Sequence, residues 1–275
     1  MKFTKMHALG NDYVVINTFV ETIDDIVTFV RKVCDRHFGI GADGVLLVKA
    51  SDVAEFKMEI YNADGSRAQM CGNGIRCFAK YVYDYNLTTK ETFEIETDAG
   101  IREVKLHIKN DKIREVTVDM GAPILEPQQI PVIWEKDIVV NEPILVKGKE
   151  YQMTCVSMGN PHAVIWVNDV ENFPIEVTGI AMEYHARFPE RVNTEFVQII
   201  NHKSVKMRVW ERGVGETLAC GTGASAVCVA GVLCGLTDEE VTVKLKRGNL
   251  HVRWDRNSNR VMLTGEAVKV FDGVI

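Results

Sequence analysis

The chain lacks a basic excess. Its 32 Lys and Arg stand against 38 Asp and Glu, for a net charge of −6. With no basic cluster to offset that balance, no nucleic-acid partner is expected. Long hydrophobic runs are also missing. The longest nearly apolar stretch, ASAVCVAGVLCGL (Ala224–Leu236), has 13 residues. A bilayer span needs about 20, so this stretch reads as a buried helix and no membrane is expected. The N-terminal MKFTKMHALGNDY has no apolar core of a secretory signal. The expectation is a cytoplasmic protein, in which the sequon at Asn86 is idle. Cysteines number seven (Cys34, Cys71, Cys77, Cys155, Cys220, Cys228 and Cys234). An odd count with no secretory signal reads as free thiols rather than a disulfide framework. Cys71 and Cys77 are six apart, which matches no zinc-ligand spacing.

What is present is ordinary globular composition, 46% apolar and 25% charged, over 275 residues. That length accommodates two domains of roughly 100–150 residues. The sequence carries a repeat that fits such a division. KMEIYNADGSRAQMCGNG, from Lys57, aligns without a gap on KMRVWERGVGETLACGTG, from Lys206; 206 − 57 = 149, and 220 − 71 = 149 for the cysteines. At the same offset LGNDYVVI meets MGNPHAVI, so Gly10-Asn11 falls on Gly159-Asn160. HFGIGADGVLLV meets RFPERVNTEFVQ with one added residue, and AGIREVKL resembles RGNLHVRW at an offset of 148. Four segments in one order at nearly one spacing indicate two structurally equivalent halves. The expected halves are 1–120 and 121–265, with the C-terminal strand 266–275 returning to the first. The boundary lies in GAPILEPQQIPV (Gly121–Val132), which holds three of the seven prolines.

Within each half the elements are mixed. DYVVINTF, GVLLVKA, FKMEIYN and EVTVDM read as strands. DDIVTFVRKVCDRH has helical spacing with a cap at or near Asp24. IRCFAKYVYDY and ASAVCVAGVLCGL, each after a Cys-Gly-x-Gly, turn helical again. The second is apolar almost all round, so protein must wrap it on every side. The expected fold class is α/β (α+β), each half a curved mixed sheet around one central helix. GIGADG (Gly39–Gly44) fits G-x-G-x-x-G, but it follows a helix and precedes a strand, the reverse of the dinucleotide-binding context. It reads as a turn.

Cys71 and Cys220 then stand at the starts of the two central helices. A free thiol is only about 3% thiolate at pH 7, and forming the thiolate costs about 2 kcal/mol. A helix N-terminus carries about half a positive charge with unpaired N–H groups, and offers ~1–2 kcal/mol to a nearby anion. That brings a thiol toward neutrality, where a base is most useful. The glycines allow N–H groups to approach a bound anion closely. One such cysteine is weak evidence; two in the same setting point to function. The other five cysteines lie in helical or strand patterns and read as core.

Equivalent halves commonly pack about a pseudo-two-fold axis, which would aim both helix starts at one cleft. An amino-acid carboxylate held there would have a sulfur on each face of its α-carbon. One thiolate would remove the α-proton while the opposite thiol delivers another, inverting the centre. The two sulfurs would not both ionise readily, because like charges split their titration. Preorganised donors in a dry cleft would stabilise the carbanion.

At these motifs the chain resembles the diaminopimelate epimerase family. The carriers are HALGNDYVVI, RHFGIGADG, YNADGSRAQMCGNGIRC, SMGNPHAV, RVNTEFV and WERGVGETLACGTGASA, which span essentially the whole chain. The resemblance implies epimerisation of LL- to meso-diaminopimelate in lysine and peptidoglycan precursor synthesis. It implies no pyridoxal phosphate or other cofactor, no metal, and a homodimer. It implies Cys71 and Cys220 as the acid/base pair, with His162 and Glu211 tuning the thiols. Substrate contacts carried over by the resemblance are Asn11, Asn62, Gly72, Asn73, Asn160, Asn193, Glu211, Arg212, Gly221 and Thr222. Such residues suit a substrate with two zwitterionic ends. The backbone of 72–73 and 221–222 would hold the reacting carboxylate, and Arg212 the distal one. Glu211 and asparagine carbonyls would accept from ammonium groups. Where some members of the family carry glutamine, this chain has Gly44, so no side-chain contact is assigned there. Two other readings stand beside this one. A proline or hydroxyproline racemase resembles the same fold and chemistry, but places His where this chain has Asn73. A non-catalytic redox sensor would use the same two thiols as a disulfide.

Overall fold

A computed structural model describes residues 1–275. The first elements along the chain are β1 (Lys2–Ala8), β2 (Asn11–Asn17), α1 (Ile26–Cys34), β3 (Gly44–Lys49), β4 (Phe56–Asn62), β5 (Arg67–Ala68), α2 (Gly72–Asp84), β6 (Thr92–Thr97), β7 (Gly100–Lys109) and β8 (Lys112–Asp119). Then come β9 (Glu142–Val146), β10 (Lys149–Ser157), β11 (Pro161–Trp166), α3 (Ile175–Glu183), β12 (Asn193–Asn201), β13 (Ser204–Glu211), β14 (Gly215–Thr217), α4 (Gly221–Leu233), β15 (Glu240–Leu245), β16 (Gly248–Asp255), β17 (Arg260–Gly265) and β18 (Val268–Val274). The chain divides into two compact units, Met1–Asp119 with Thr264–Ile275, and Met120–Leu263.

In the first unit the strands run β18–β1–β2–β3–β4–β6–β7–β8. Neighbours are antiparallel except at β2/β3 and β4/β6, which are parallel. The second unit repeats the plan as β9–β10–β11–β12–β13–β15–β16, parallel at β11/β12 and β13/β15. A parallel pair cannot be joined by a tight hairpin and needs a crossover. One helix of each unit crosses at the first parallel pair (α1, α3) and another at the second (α2, α4).

The two kinds of helix differ because their surroundings differ. α1 is amphipathic and buries Val30, Val33 and Cys34 against Val14, Ile16, Val45 and Leu47 of the sheet. It starts at Asp25, whose carboxylate accepts from the Thr28 N–H at 3.2 Å. α2 is enclosed: it contacts β1, β2, β3, β4, β7 and β8 of its own unit. α4 does the same with β10, β11, β12, β15 and β16. These contacts explain why α4 tolerates no polar face, with every residue from Gly223 to Gly231 buried. Both central helices begin three residues earlier than periodicity alone suggests, at Gly72 and Gly221, so that Cys71 and Cys220 are themselves the N-cap residues.

The register of the parallel strands revises one detail of the repeat. Tyr13 pairs with Gly44 and Val15 with Leu46; in the second unit His162 pairs with Asn193 and Val164 with Glu195. The offset is therefore 193 − 44 = 149 here as well, without the added residue that the sequence alignment introduced. A one-residue slip would turn every side chain of a strand to the opposite face. The gap belongs outside the strand.

Packing of α3 on β13 depends on a missing side chain. A Cβ at Gly179 would lie 2.5 Å from the Trp210 ring. Gly179→Ala is expected to lower stability by about 1–3 kcal/mol through overpacking. A fall in the urea unfolding midpoint checks this; an unchanged midpoint would show that Trp210 yields without cost.

Candidate active site

In the first unit, Cys71 is half-buried with extended backbone (φ −144°, ψ 122°), as an N-cap requires. The first helical hydrogen bond runs from the Ile75 N–H to the Cys71 carbonyl at 2.9 Å. Residues 72–74 thus belong to the turn whose amides have no acceptor within the helix. The Cys71 sulfur lies 3.0 Å from the Tyr13 hydroxyl and 3.8 Å from Asn11 Oδ1. Tyr13 donates to Asn11 Oδ1 at 2.6 Å, and Asn73 Nδ2 donates to the same oxygen at 3.1 Å. Asn11 is held from behind by its own donation to Asp43 at 2.8 Å. Asp43 accepts in turn from Arg36, which also bonds Asp12. A fully buried cation, Arg76, lies one turn into α2. It donates to the Gly72 carbonyl, to Asn73 Oδ1 and to the Glu266 carbonyl. Three of the residues singled out by sequence, Asn11, Cys71 and Asn73, therefore share one hydrogen-bonded corner. Asn62 stands apart, exposed at the end of β4, donating to Ser66 Oγ at 3.0 Å.

In the second unit, Cys220 is buried and its sulfur accepts from the Gly223 N–H at 3.4 Å, with Thr222 Oγ1 also at 3.4 Å. Asn160 donates to Thr222 Oγ1 at 3.3 Å and through Oδ1 meets His162 Nε2 at 2.9 Å. The other ring nitrogen, Nδ1, is 2.7 Å from Glu195 Oε1. His162 and Glu195 are both fully buried, and Glu195 Oε2 has no hydrogen-bond partner. Half-buried Glu211 accepts from the Thr217 hydroxyl. Asn193 bridges the Pro161 carbonyl at 2.9 Å and the Arg212 N–H at 2.8 Å, tying the turn after β13 to the start of β11. The same turn is held by Glu183 of α3, which accepts from the Gly213 N–H and the Trp210 indole. The Arg212 guanidinium is exposed and donates to the Glu190 carbonyl at 2.9 Å.

Charge distinguishes the two corners. Burial first, then the charges of Glu211 and Glu195, push the Cys220 thiol well above its ordinary value; Thr222 and the Gly223 amide only partly oppose this. Cys220 thus has the geometry expected of a thiol at a helix start, but the net electrostatics there oppose its ionisation instead of favouring it. Burial likewise raises the Glu211 carboxyl. The Tyr13 phenol is raised well above its usual range by burial and then by Cys71, so it stays protonated.

Sequence reading missed Tyr13, Glu195 and Arg76. The repeat contained the signal for two of them: 162 − 13 = 149 makes Tyr13 the counterpart of His162, and 195 − 46 = 149 makes Leu46 the counterpart of Glu195. A Cβ at Gly74 would meet Ile60 Cδ1 at 3.0 Å and Leu46 Cδ2 at 3.2 Å, whereas one at the equivalent Gly223 would meet Glu195 Oε1 at 2.6 Å. Gly44 is needed where a Cβ would strike the Tyr61 carbonyl and lie 3.5 Å from the Tyr13 ring.

Replacing Glu211 by glutamine removes a negative charge that holds the Cys220 thiol up, so the thiol should ionise at lower pH. Peptide-resolved mass spectrometry of iodoacetamide labelling is expected to show several-fold faster Cys220 alkylation near pH 8 in Glu211→Gln. The difference should vanish at low pH, where Glu211 itself is protonated. Slower or equal alkylation throughout would contradict the electrostatic account.

A sequence-family model for diaminopimelate epimerase matches residues 3–126 and 154–270. The diaminopimelate epimerase of Acetivibrio thermocellus is 54% identical over 275 residues, covering 100% of this chain and 98% of the relative. That of Methanococcus maripaludis is 52% identical over 275 residues, covering 100% and 99%. Among solved structures, a probable proline racemase from Agrobacterium radiobacter superposes with a TM-score of 0.73 at 12% identity, covering 100% of this chain and 92% of that one. A hydroxyproline epimerase from Agrobacterium vitis gives 0.70 at 13% identity, covering 99% and 91%. These two establish the fold. With matching cysteine-capped helices in its two units and full-length relatives above half identity, the chain belongs to the diaminopimelate epimerase family.

Proposed function

We propose that the protein epimerises diaminopimelate at one α-carbon by a two-base mechanism in which Cys71 and Cys220 are the acid and the base. The observation that carries this is the placement of two cysteines as N-caps of equivalent central helices, each tied into a polar corner, while Cys34, Cys77, Cys155 and Cys228 are buried in helices or strands and Cys234 is the half-buried C-cap of α4, 3.3 Å from the Thr154 hydroxyl. The mechanism needs the two sulfurs on opposite faces of the same carbon. The sulfur that starts as thiolate takes the α-proton, and the carbanion charge spreads into the carboxylate. The other sulfur, starting as thiol, gives up its proton to the opposite face. The charge has then moved from one sulfur to the other, and the reverse reaction begins from that state.

The reacting carboxylate is proposed to lie against the first-turn amides at Gly72–Asn73 and Gly221–Thr222, where helix dipoles favour an anion. Asn11 and Asn160, equivalent and each bonded into its own corner, would orient the reacting end. The distal zwitterion would take Asn62, Asn193, Glu211 and Arg212. Arg212 needs only to leave the Glu190 carbonyl, its one side-chain partner, to meet a carboxylate. His162 would tune Cys220 through Asn160 and Thr222. Asn73 is already committed to Asn11 and Arg76 on the flank where a racemase of cyclic amino acids would carry histidine. That commitment favours an acyclic substrate with its own distal anchor. The working form proposed is a cytoplasmic homodimer without cofactor or metal; no helix of the structure is long and apolar enough to cross a membrane.

Incubating the protein with one pure stereoisomer of diaminopimelate in deuterated water tests the reading. Deuterium gain at a single α-carbon together with isomer interconversion is the expected result, and binding without exchange would sink it. Cys71→Ala and Cys220→Ala should each lower turnover by at least about 100-fold with circular dichroism unchanged. Near-normal epimerisation by either variant would remove that cysteine from the chemistry.

A further inference from the structure

We infer that Tyr13 is a positioning residue for Cys71: its hydroxyl turns between the Cys71 sulfur and Asn11 Oδ1 as the sulfur gains or loses its proton. The inference rests on the two-thiol reading above. It starts from a hydroxyl with one proton and two acceptors. The oxygen is 3.0 Å from the sulfur, a short approach for a second-row atom, and 2.6 Å from Asn11 Oδ1. Asn11 Oδ1 already accepts from Asn73 Nδ2, so it can give up the phenol proton without being left unsatisfied. When Cys71 is a thiolate, the phenol donates to sulfur in a charge-assisted bond. When the sulfur carries a proton, the phenol donates to Asn11 and the S–H points to the phenol oxygen. The phenol never loses its proton; only its direction changes.

The surroundings suit such a donor. Tyr13 is buried, and its ring rests 3.5 Å from where a Cβ at Gly44 would stand, so the glycine seats it. Its counterpart in the second unit, His162, has the carboxylate of Glu195 behind it. At the position equivalent to Glu195 the first unit has Leu46, an apolar side chain that offers the phenol no competing acceptor. The other groups facing this corner are Arg76 on α2, bonded to Gly72 and Asn73, Asp43 from the loop before β3, one hydrogen bond beyond Asn11, and the buried thiol of Cys77 in the next turn of α2. Arg76 and Cys77 act on the sulfur through charge, whereas the Tyr13 hydroxyl, at 3.0 Å, is within hydrogen-bonding reach of it.

Tyr13→Phe keeps the ring and removes the hydroxyl. Peptide-resolved mass spectrometry then follows iodoacetamide labelling of Cys71 in the otherwise unchanged protein. The expected result is alkylation about ten-fold slower at pH 7, as for loss of one charge-assisted hydrogen bond, with the two proteins converging at alkaline pH where the sulfur is ionised in both. Turnover should fall more than KM changes. Equal rates at every pH overturn the proposal. So does a uniform change that does not converge, since that is what altered packing or access would produce. Urea unfolding of the variant reports packing separately. Failure of the deuterium-exchange experiment would remove the epimerase reading, whereas labelling of Cys71 needs no substrate and judges Tyr13 by itself.

Discussion

Burying the start of a helix is a demanding arrangement. The first-turn amides have no partners within the helix, and an unmet buried N–H costs about as much as a lost hydrogen bond. Each unit of this protein encloses a central helix by its own sheet, so the problem arises twice. Both times the residue at the cap is cysteine rather than the serine, threonine or aspartate that usually serves. A sulfur is a weak acceptor when protonated and a good one when ionised, so the amides pull toward the anion. The glycines that follow carry no side chain over the first-turn amides. The polar corners at Asn11 and Asn160 are arranged around these two helix starts, and the exposed faces of α1 and α3 are remote consequences of the crossovers that place them.

On this common frame the two units have diverged in the charges that surround the sulfur. The first has a phenol at position 13, leucine at 46, and a buried guanidinium at 76. The second has imidazole at 162, a carboxylate at 195, and Ser225 donating to the Gly221 carbonyl where Arg76 bonds that of Gly72. Neutral donor and cation around one thiol, carboxylates around the other: the backbone is duplicated while the electrostatics are close to opposed.

Much of this was legible in the sequence because duplication amplifies weak signals. A single Cys-Gly-x-Gly says little, and an apolar helix pattern such as that of Ala224–Leu236 says only that it is enclosed. Two at one offset imply equivalent positions in equivalent units, and the matching strand order is the physical outcome. The losses have specific causes. Placing an extra residue ahead of Asn193 shifted β12 by one against β3, and a one-residue shift hides which side chains share a face; Glu195 then lined up with Val45, which is buried on the α1 side of the sheet, instead of Leu46. Tyr13 read as a β-strand aromatic, which it also is. Arg76 sits in an amphipathic pattern as a polar residue, and only the sheet closing over α2 reveals that its charge is buried. Cys220 is pushed up first by burial and then by Glu211 and Glu195, none of which a local rule about helix starts includes.

The paired glycines two residues past each cap-adjacent glycine show how unequal the tolerance of the units to change has become. At Gly74 an added methyl would press on the terminal carbons of Ile60 and Leu46, at 3.0 and 3.2 Å, which carry no hydrogen bonds to break. At Gly223 it would press on the Glu195 carboxylate, which is pinned to His162. Drift at the first position is resisted by packing alone. At the second, three residues from three separate elements would have to change in concert, so that corner of the protein evolves as a single block or not at all.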